Sequence, residues 1–233
     1  MGIHQLQVSE LHRETPWSIR LRLDLDGVAF RFSAGQAVTL GLPGGPRKPY
    51  SIACSPEAVT RDGALEFLIQ TDAAGALGAN LAGITSGSLV EVEGPFGRFH
   101  LPRPLRHRRL LLIAGGTGIS PLRAITDSAL ARPNPPLITL LYSAQTADDF
   151  AFMPELRRAA RSGRLHLVLT VTRSGDPRWT SRRGRVQEAW FDELLRDGPA
   201  LCFVCGPPSF VTDVSRMLES LGVPPGRIKH EEY

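Results

Sequence analysis

The hydrophobic rhythm of this chain changes once, near residue 102, and that change constrains the fold more than any other feature. Before it, apolar residues alternate with period two over residues 18–23, 37–42, 65–70 and 89–93. The turn clusters Asp26-Gly27, Pro43-Gly44-Gly45-Pro46, Asp62-Gly63 and Ser86-Gly87 separate them. Alternation puts every second side chain on one face, so short stretches with regular punctuation predict an antiparallel barrel or sandwich. After the basic, proline-containing bridge over 101–109, the run Leu110-Leu-Leu-Ile-Ala114 is continuously apolar, as in a parallel strand covered on both faces. Helical stretches over 121–131, 153–160, 186–195 and 209–221 then alternate with extended ones over 137–142, 165–171 and 201–205. That order predicts βαβ units on a parallel sheet. The expected fold class is two domains, an antiparallel β-barrel over residues 1–103 followed by an α/β parallel-sheet domain over 104–233. The 233 residues, 42% hydrophobic and 21% charged, suffice for two small cores.

The formal charge of +4 comes mostly from arginine, in clusters such as Arg106, Arg108, Arg109 and Arg182, Arg183, Arg185. Such clusters read either as a solvated face or as a docking face for an acidic protein or for phosphates. No basic run is interleaved with aromatics, which argues against nucleic acid. Three cysteines, Cys54, Cys202 and Cys205, make a disulfide framework unexpected and a reducing compartment natural. Cys202 and Cys205 form a C-x-x-C, but in a buried strand, away from the helix start that a redox dithiol uses. A lone C-x-x-C is also only half a zinc site, and no metal is expected. The first residues lack the regions of a signal peptide and no apolar run is long enough to span a bilayer, so the expected location is cytoplasmic, with no membrane span.

The sharpest local signal is Leu110-Leu-Leu-Ile-Ala-Gly-Gly-Thr-Gly-Ile-Ser-Pro121, a strand running into a glycine turn and a helix. Ser120 is expected to cap that helix and Pro121 to open it. Glycine lets backbone N–H groups approach a pyrophosphate, and the helix start adds donors and partial positive charge. The ordinary dinucleotide fingerprint is not met, because Pro121 stands where its third glycine belongs and Tyr142-Ser143 where a ribose-binding carboxylate would end the next strand. Walker A is excluded as well, since no Gly-Lys-Ser/Thr follows. On its own the loop reads as a nucleotide site or as a tight strand-to-helix turn.

Five segments in order decide between these readings: Phe32-Ser-Ala-Gly-Gln36, Lys48-Pro-Tyr-Ser-Ile-Ala53, Gly94-Pro-Phe-Gly97, Gly115-Gly-Thr-Gly-Ile-Ser-Pro121 and Cys205-Gly-Pro207 with a C-terminal aromatic. Together they cover nearly the whole chain, which resembles the ferredoxin-NADP reductase family in a compact form. The resemblance implies a flavin on the barrel and a nicotinamide nucleotide at the carboxyl edge of the parallel sheet. It implies that Tyr50 packs on the flavin ring, that Ser51 hydrogen-bonds near flavin N5, and that Pro49, Ile69 and Gln70 belong to the same site. Cys205 and Glu231 join Ser51 as catalytic residues, and Tyr233 is the flavin-covering aromatic. Gly115, Gly116, Thr117, Gly118, Gly206 and Pro207 meet the dinucleotide, while Thr172, Arg173 and Arg182 grip a 2′-phosphate, favouring NADPH over NADH.

Two positions depart from the family pattern. The phosphate-binding arginine of Arg-x-Tyr-Ser is Lys48 here, with Arg47 beside it, so attraction is kept and the two-pronged geometry is lost. The family's Gly-x-x-Ser-x-x-Leu is Gly75-Ala-Leu-Gly78-Ala-Asn-Leu81, without the serine hydroxyl. FAD is the expected flavin, with FMN as the alternative.

The implied function is transfer of hydride from NAD(P)H to flavin and of electrons onward. No C-x₄-C-x₂-C iron-sulfur run is present, so the acceptor is a separate molecule: an acidic ferredoxin or flavodoxin, an oxygenase component, free flavin or quinone. A flavin- or nucleotide-binding subunit without turnover is the reading from another class. Hydrolases and metalloenzymes find no support in Gly-x-Ser-x-Gly, His-Glu-x-x-His or histidine spacing.

Overall fold

The computed structural model describes residues 2–173, 175, 177, 179–196 and 198–232. Its elements in chain order are β1 (Ile3–Thr15), β2 (Ser18–Asp24), β3 (Ala37–Gly41), β4 (Lys48–Ser51), α1 (Pro56–Asp62), β5 (Ala64–Gln70) and β6 (Leu89–Phe96). There follow β7 (Arg109–Gly115), α2 (Ile119–Leu130), β8 (Leu137–Ala144), α3 (Met153–Arg161), β9 (His166–Val171), β10 (Arg182–Arg183), α4 (Ala189–Leu194), β11 (Leu201–Gly206), α5 (Pro208–Ser220) and β12 (Ile228–Glu232).

The first six strands pair antiparallel in the order β4-β3-β6-β1-β2-β5, and a bridge between Ile52 and Phe67 brings the end of β4 back to β5. Alternate side chains such as Leu21, Leu23, Leu40, Leu65, Phe67 and Ile69 fill the interior. The last six strands form a parallel sheet in the order β10-β9-β8-β7-β11-β12. β7 is central and buried along most of its length, as its continuous apolar run requires. The chain winds from β7 toward β9, then returns to place β11 on the other side of β7, so the topological switch lies between β7 and β11, where ligands bind in open α/β sheets.

The fold class matches the expectation, and the differences are local. The glycine turn is itself wound, as a 3-10 turn over Gly116–Gly118 that runs straight into α2 at Ile119. Ser120 therefore lies inside the helix and does not cap it, and Pro121 is its third residue, where the missing N–H is still one of the unpaired four. Helix α4 is shorter than the expected 186–195 stretch, and Arg182 and Arg183 form a two-residue edge strand.

The two halves share packing. Ala34, Ala53 and Leu68 of the first sheet's half, with Phe99 and Leu101 from the connection, sit in one cluster with Leu110, Leu112, Ile125 and Phe203. At about 1.5–3 kcal/mol per buried large aliphatic side chain, this shared cluster fixes how the barrel meets the α/β unit. No helix among the described residues is long and apolar enough to cross a membrane.

Candidate functional site

β4 carries Lys48-Pro-Tyr-Ser51 along β3, with Tyr50 opposite Val38 and Ser51 opposite Ala37. The Tyr50 ring is fixed through its hydroxyl, which receives a 3.1 Å hydrogen bond from the Asn80 side-chain amide. Asn80 is fully buried and also donates to the Leu40 carbonyl at 3.1 Å. Asn80 was not among the expected site residues; it stands in the quoted Gly75–Leu81 segment at a position where nothing in the sequence marks a partner.

Ser51 is held from two sides. Its hydroxyl donates to Glu231 Oε2 at 3.0 Å, and its carbonyl accepts from the Ser120 hydroxyl at 3.1 Å. β12 pairs parallel with β11 so that Glu231 lies opposite Cys205. Ser51, Cys205 and Glu231, distant in sequence, thus line one cleft of about 400 Å³ with Pro49, Tyr50, Gln70 and Thr117. Burial holds the Glu231 carboxyl above its ordinary range, while the Ser51 hydrogen bond draws it back. Cys205 is buried and its thiol is pushed far up, first by burial and then by the Glu231 charge, so it stays protonated.

The glycine turn closes this cleft. Gly116 has φ +56°, a conformation that side chains resist. Gly118 lies so close to the Cys205 and Gly206 backbone that a Cβ would collide with it, and this contact seats the start of α2 on the end of β11. A second cleft of about 460 Å³ adjoins the first through Leu68, Gln70 and Thr117, and takes in Trp17, Gly116, Tyr142, Gln145, Arg173 and Pro207. A third, of about 220 Å³, lies over the ends of β8 and β9 and includes Thr172, Arg185, Pro207 and Ser209.

Some expected residues stand elsewhere. Ile69 points into the barrel core at 1% exposure, because only Leu68 and Gln70 share the cleft face of β5. Arg47 is turned to Glu91 at 2.7 Å and Glu93 at 3.5 Å. Arg182 is held by Glu193 and lies over the Trp190 ring, so it lines none of the three clefts; Arg185, one turn of chain later, does. Tyr233 lies outside the described residues. Around the loop that lacks the family serine, Lys48 Nζ approaches Gly78 and the Arg13 guanidinium lies against Gly75. Neither cation has a carboxylate partner among the described residues. Arg13 was invisible as a site residue, since it belongs to β1 and only the folded barrel brings it to the loop.

The cleft that holds Ser51 is walled by a flat aromatic and lies beside a glycine cradle; unpaired cations flank the loop after β5. These features fit a flavin nucleotide. Adjoining clefts at a topological switch fit a second nucleotide.

Comparison with known proteins agrees with this geometry. Residues 5–101 match the oxidoreductase FAD-binding domain family and residues 112–216 the oxidoreductase NAD-binding domain family. Ferredoxin--NADP reductase B of Sorangium cellulosum is 34% identical over 220 residues, covering 89% of this chain and 88% of that protein. The reductase subunit of an aromatic O-demethylase from Amycolatopsis is 30% identical, covering 98% of this chain and 67% of its own. The crystal structure of an Amycolatopsis cytochrome P450 reductase superposes with a TM-score of 0.83 at 28% identity, covering 99% of this chain and 70% of that one.

Proposed function

From a chain that belongs to the ferredoxin-NADP reductase family, we infer a flavin-dependent NAD(P)H oxidoreductase that moves hydride from NAD(P)H to bound FAD and electrons onward to a separate acceptor. The observation that carries this reading is the meeting of Ser51, Cys205 and Glu231 beside two clefts joined through Leu68, Gln70 and Thr117. When bound, FAD would supply the redox chemistry, accepting hydride and passing electrons onward.

The residues of this chain bind, align and hold protons. Pro49 and Tyr50 wall the flat ring, and Asn80 keeps the Tyr50 ring in place. The Ser51 hydroxyl can give or accept a hydrogen bond as the ring changes charge, and Glu231 orients it. The upward shift of Glu231 suits a carboxyl that can hold a proton beside the reacting atoms. Cys205 packs as a neutral, polarizable side chain beside the nicotinamide. Lys48 at Gly78 and Arg13 at Gly75 would hold the flavin diphosphate, which favours FAD over FMN.

Gly115, Gly116, Thr117 and Gly118 meet the pyrophosphate of NAD(P)H, with Gly206 and Pro207 on the neighbouring strand end. Thr172, Arg173 and Arg185 receive a 2′-phosphate, so NADPH is the favoured coenzyme. The barrel extends through residue 103, and the α/β unit begins at 104. Ferredoxin, flavodoxin or an oxygenase component in the cytoplasm is the acceptor, consistent with relatives named as ferredoxin reductase and oxygenase reductase.

The test is the visible spectrum of the purified protein before and after NADPH and then NADH. A flavin spectrum that bleaches with nucleotide is expected, and chromatography of the heat-released cofactor should give FAD. Protein that takes up no flavin, or a bound flavin that neither nucleotide bleaches, would contradict the assignment.

A further inference from the structure

The chemistry above uses the carboxyl edge of the parallel sheet, and the opposite edge has a composition of its own. The connectors that lead into five of the six parallel strands end there: residues 101–108 before β7, 131–136 before β8, 162–165 before β9, 195–200 before β11 and 221–227 before β12. Among their residues are Arg103, Arg106, Arg108, Arg132, Arg164 and Arg196, with His107, against one carboxylate in the sequence of these segments, Asp197, which lies outside the described residues. Topology therefore gathers cations scattered from Arg103 to Arg196 onto one edge.

Few of them are neutralised. The guanidinium groups of Arg106, Arg108 and Arg132 make no ion pair or hydrogen bond among the described residues. Arg103 has Glu57 at 3.8 Å, and Arg164 donates to the Leu130 carbonyl. His107, Arg108, Arg132 and Asn134 line a cavity of about 290 Å³ between two connectors. Beside it stands Leu137, the most exposed large apolar side chain among the described residues at 69%, tied by its backbone N–H to the Arg108 carbonyl at 2.9 Å.

Crowding like charges with so few carboxylates costs the fold through repulsion. An external anion offsets that cost. The connectors contain no Phe, Tyr or Trp for base stacking, which disfavours single-stranded nucleic acid. An electron-accepting protein docked here would stand a strand length, about 20 Å, from the cleft that holds Ser51. A sheet of anionic headgroups fits both features, since it meets separated cations across an edge and admits an aliphatic side chain to the acyl boundary.

We propose that the amino edge of the parallel sheet, around Arg106, Arg108, Arg132 and Leu137, docks the protein peripherally on an anionic phospholipid surface, leaving the nucleotide clefts facing water. Each arginine near such a surface contributes about fivefold to partitioning. Sedimentation of the flavin-loaded protein with phosphatidylcholine vesicles, with and without phosphatidylglycerol, tests this at low and high salt. Binding should require phosphatidylglycerol, weaken with salt, and fall by about 10²-fold in Arg106→Gln/Arg108→Gln/Arg132→Gln. Leu137→Asp should weaken it further, while flavin reduction by NADPH stays unchanged in both variants because the edge is remote from the clefts. The thermal melt of each variant checks that it folds. Failure of the wild type to sediment, sedimentation of the glutamine variant like the wild type, equal binding to neutral vesicles, or tighter binding of RNA than of vesicles would each overturn the proposal.

Discussion

At the scale of single residues, Ser51 is the position where the barrel, α2 and β12 meet, through its hydroxyl on Glu231 and its carbonyl under Ser120. Removing the hydroxyl leaves the carbonyl contact and the barrel core untouched. Ser51→Ala should therefore slow flavin reduction by about 10²-fold, the scale of one positioned donor, with nucleotide affinity nearly unchanged. A stopped-flow rate equal to that of wild type would remove Ser51 from the chemistry. Arg173 faces the cleft beside Gly116 and Thr117. Arg173→Ala should raise the KM for NADPH by about tenfold or more, given 1.5–3 kcal/mol for a hydrogen bond to a charged group, and leave that for NADH nearly constant. Equal losses with both coenzymes would show that Arg173 does not read the phosphate. Ser51, Cys205 and Glu231 could be named from motifs because such residues stand at fixed offsets from glycine turns and strand ends, and the fold brings the three to one cleft. Arg13 and Asn80 carried no such offset, and Arg182 could not be told from Arg185 without knowing that Glu193 holds the first.

Among elements, α2 shows what periodicity conveys and what it omits. Its helical span was legible from the glycine turn before it, whereas its buried charges were not. Arg123, 8% exposed, stands one turn before Asp127. Burial pushes the Asp127 carboxyl up to about 6; the Arg123 charge pulls it down, and Glu155 and Glu66 oppose that pull. The folded state thus holds this proton more tightly than the unfolded chain, where the ordinary value is 3.8. Wild-type stability should fall as pH rises from about 4 to about 6 on this account and then level off. Asp127→Asn removes the cost of ionisation, so its urea midpoint should exceed that of wild type above pH 6, and the advantage should vanish toward pH 4. A variant less stable than wild type at pH 8 would mean that attraction to Arg123 outweighs burial. Other elements were illegible for physical reasons. β1 buries Leu6 and Val8, then runs outward through Glu10, His12 and Arg13 with no apolar alternation. α1 buries only Val59, so no period of 3.6 forms, although Ser55 caps it. β12 holds its place through backbone pairing with β11, and its side chains follow no pattern that sequence reveals. The two cysteines of the C-x-x-C, three residues apart on β11, pack into the cores on opposite faces of the sheet, so strand geometry alone keeps them from pairing.

For the whole molecule, the relevant question is what keeps Ser51 of the barrel within 3.0 Å of Glu231 on the parallel sheet, since hydride transfer tolerates little misalignment. The answer is a charged clasp between the halves. Arg123 of α2 donates to Glu66 on β5 at 2.7 Å, to Glu155 on α3 at 2.7 Å and to the Ala53 carbonyl at 2.9 Å. Arg20 of β2 reaches Glu14 at 2.9 Å and Glu155 at 3.1 Å. Both guanidinium groups lie over the Phe152 ring, that of Arg123 at 4.5 Å and that of Arg20 at 4.8 Å. Phe152 adopts φ +61°, and its N–H donates to Glu14 across the junction at 2.7 Å. Burial works against the Arg123 charge, but Glu155 and Glu66 outweigh it and keep the guanidinium ionised. Arg123→Met preserves most of the volume but leaves Glu155 to Arg20 alone, Glu66 to Arg22 at 3.8 Å, and Asp127 without the nearby Arg123 charge. Such a loss costs about 3–5 kcal/mol when a buried pair is broken from one side. The variant should unfold in urea at a clearly lower midpoint, and its flavin-reduction rate should fall even where it remains folded, because the two halves lose their register. Arg123→Met/Glu66→Gln/Glu155→Gln, which removes both charge signs together, should recover much of the stability, as replacing a whole buried ion pair is often neutral. If Arg123→Met alone matched wild type in both midpoint and rate, the shared apolar cluster of Ala34, Ala53, Leu68 and Phe99 would be holding the halves without the clasp.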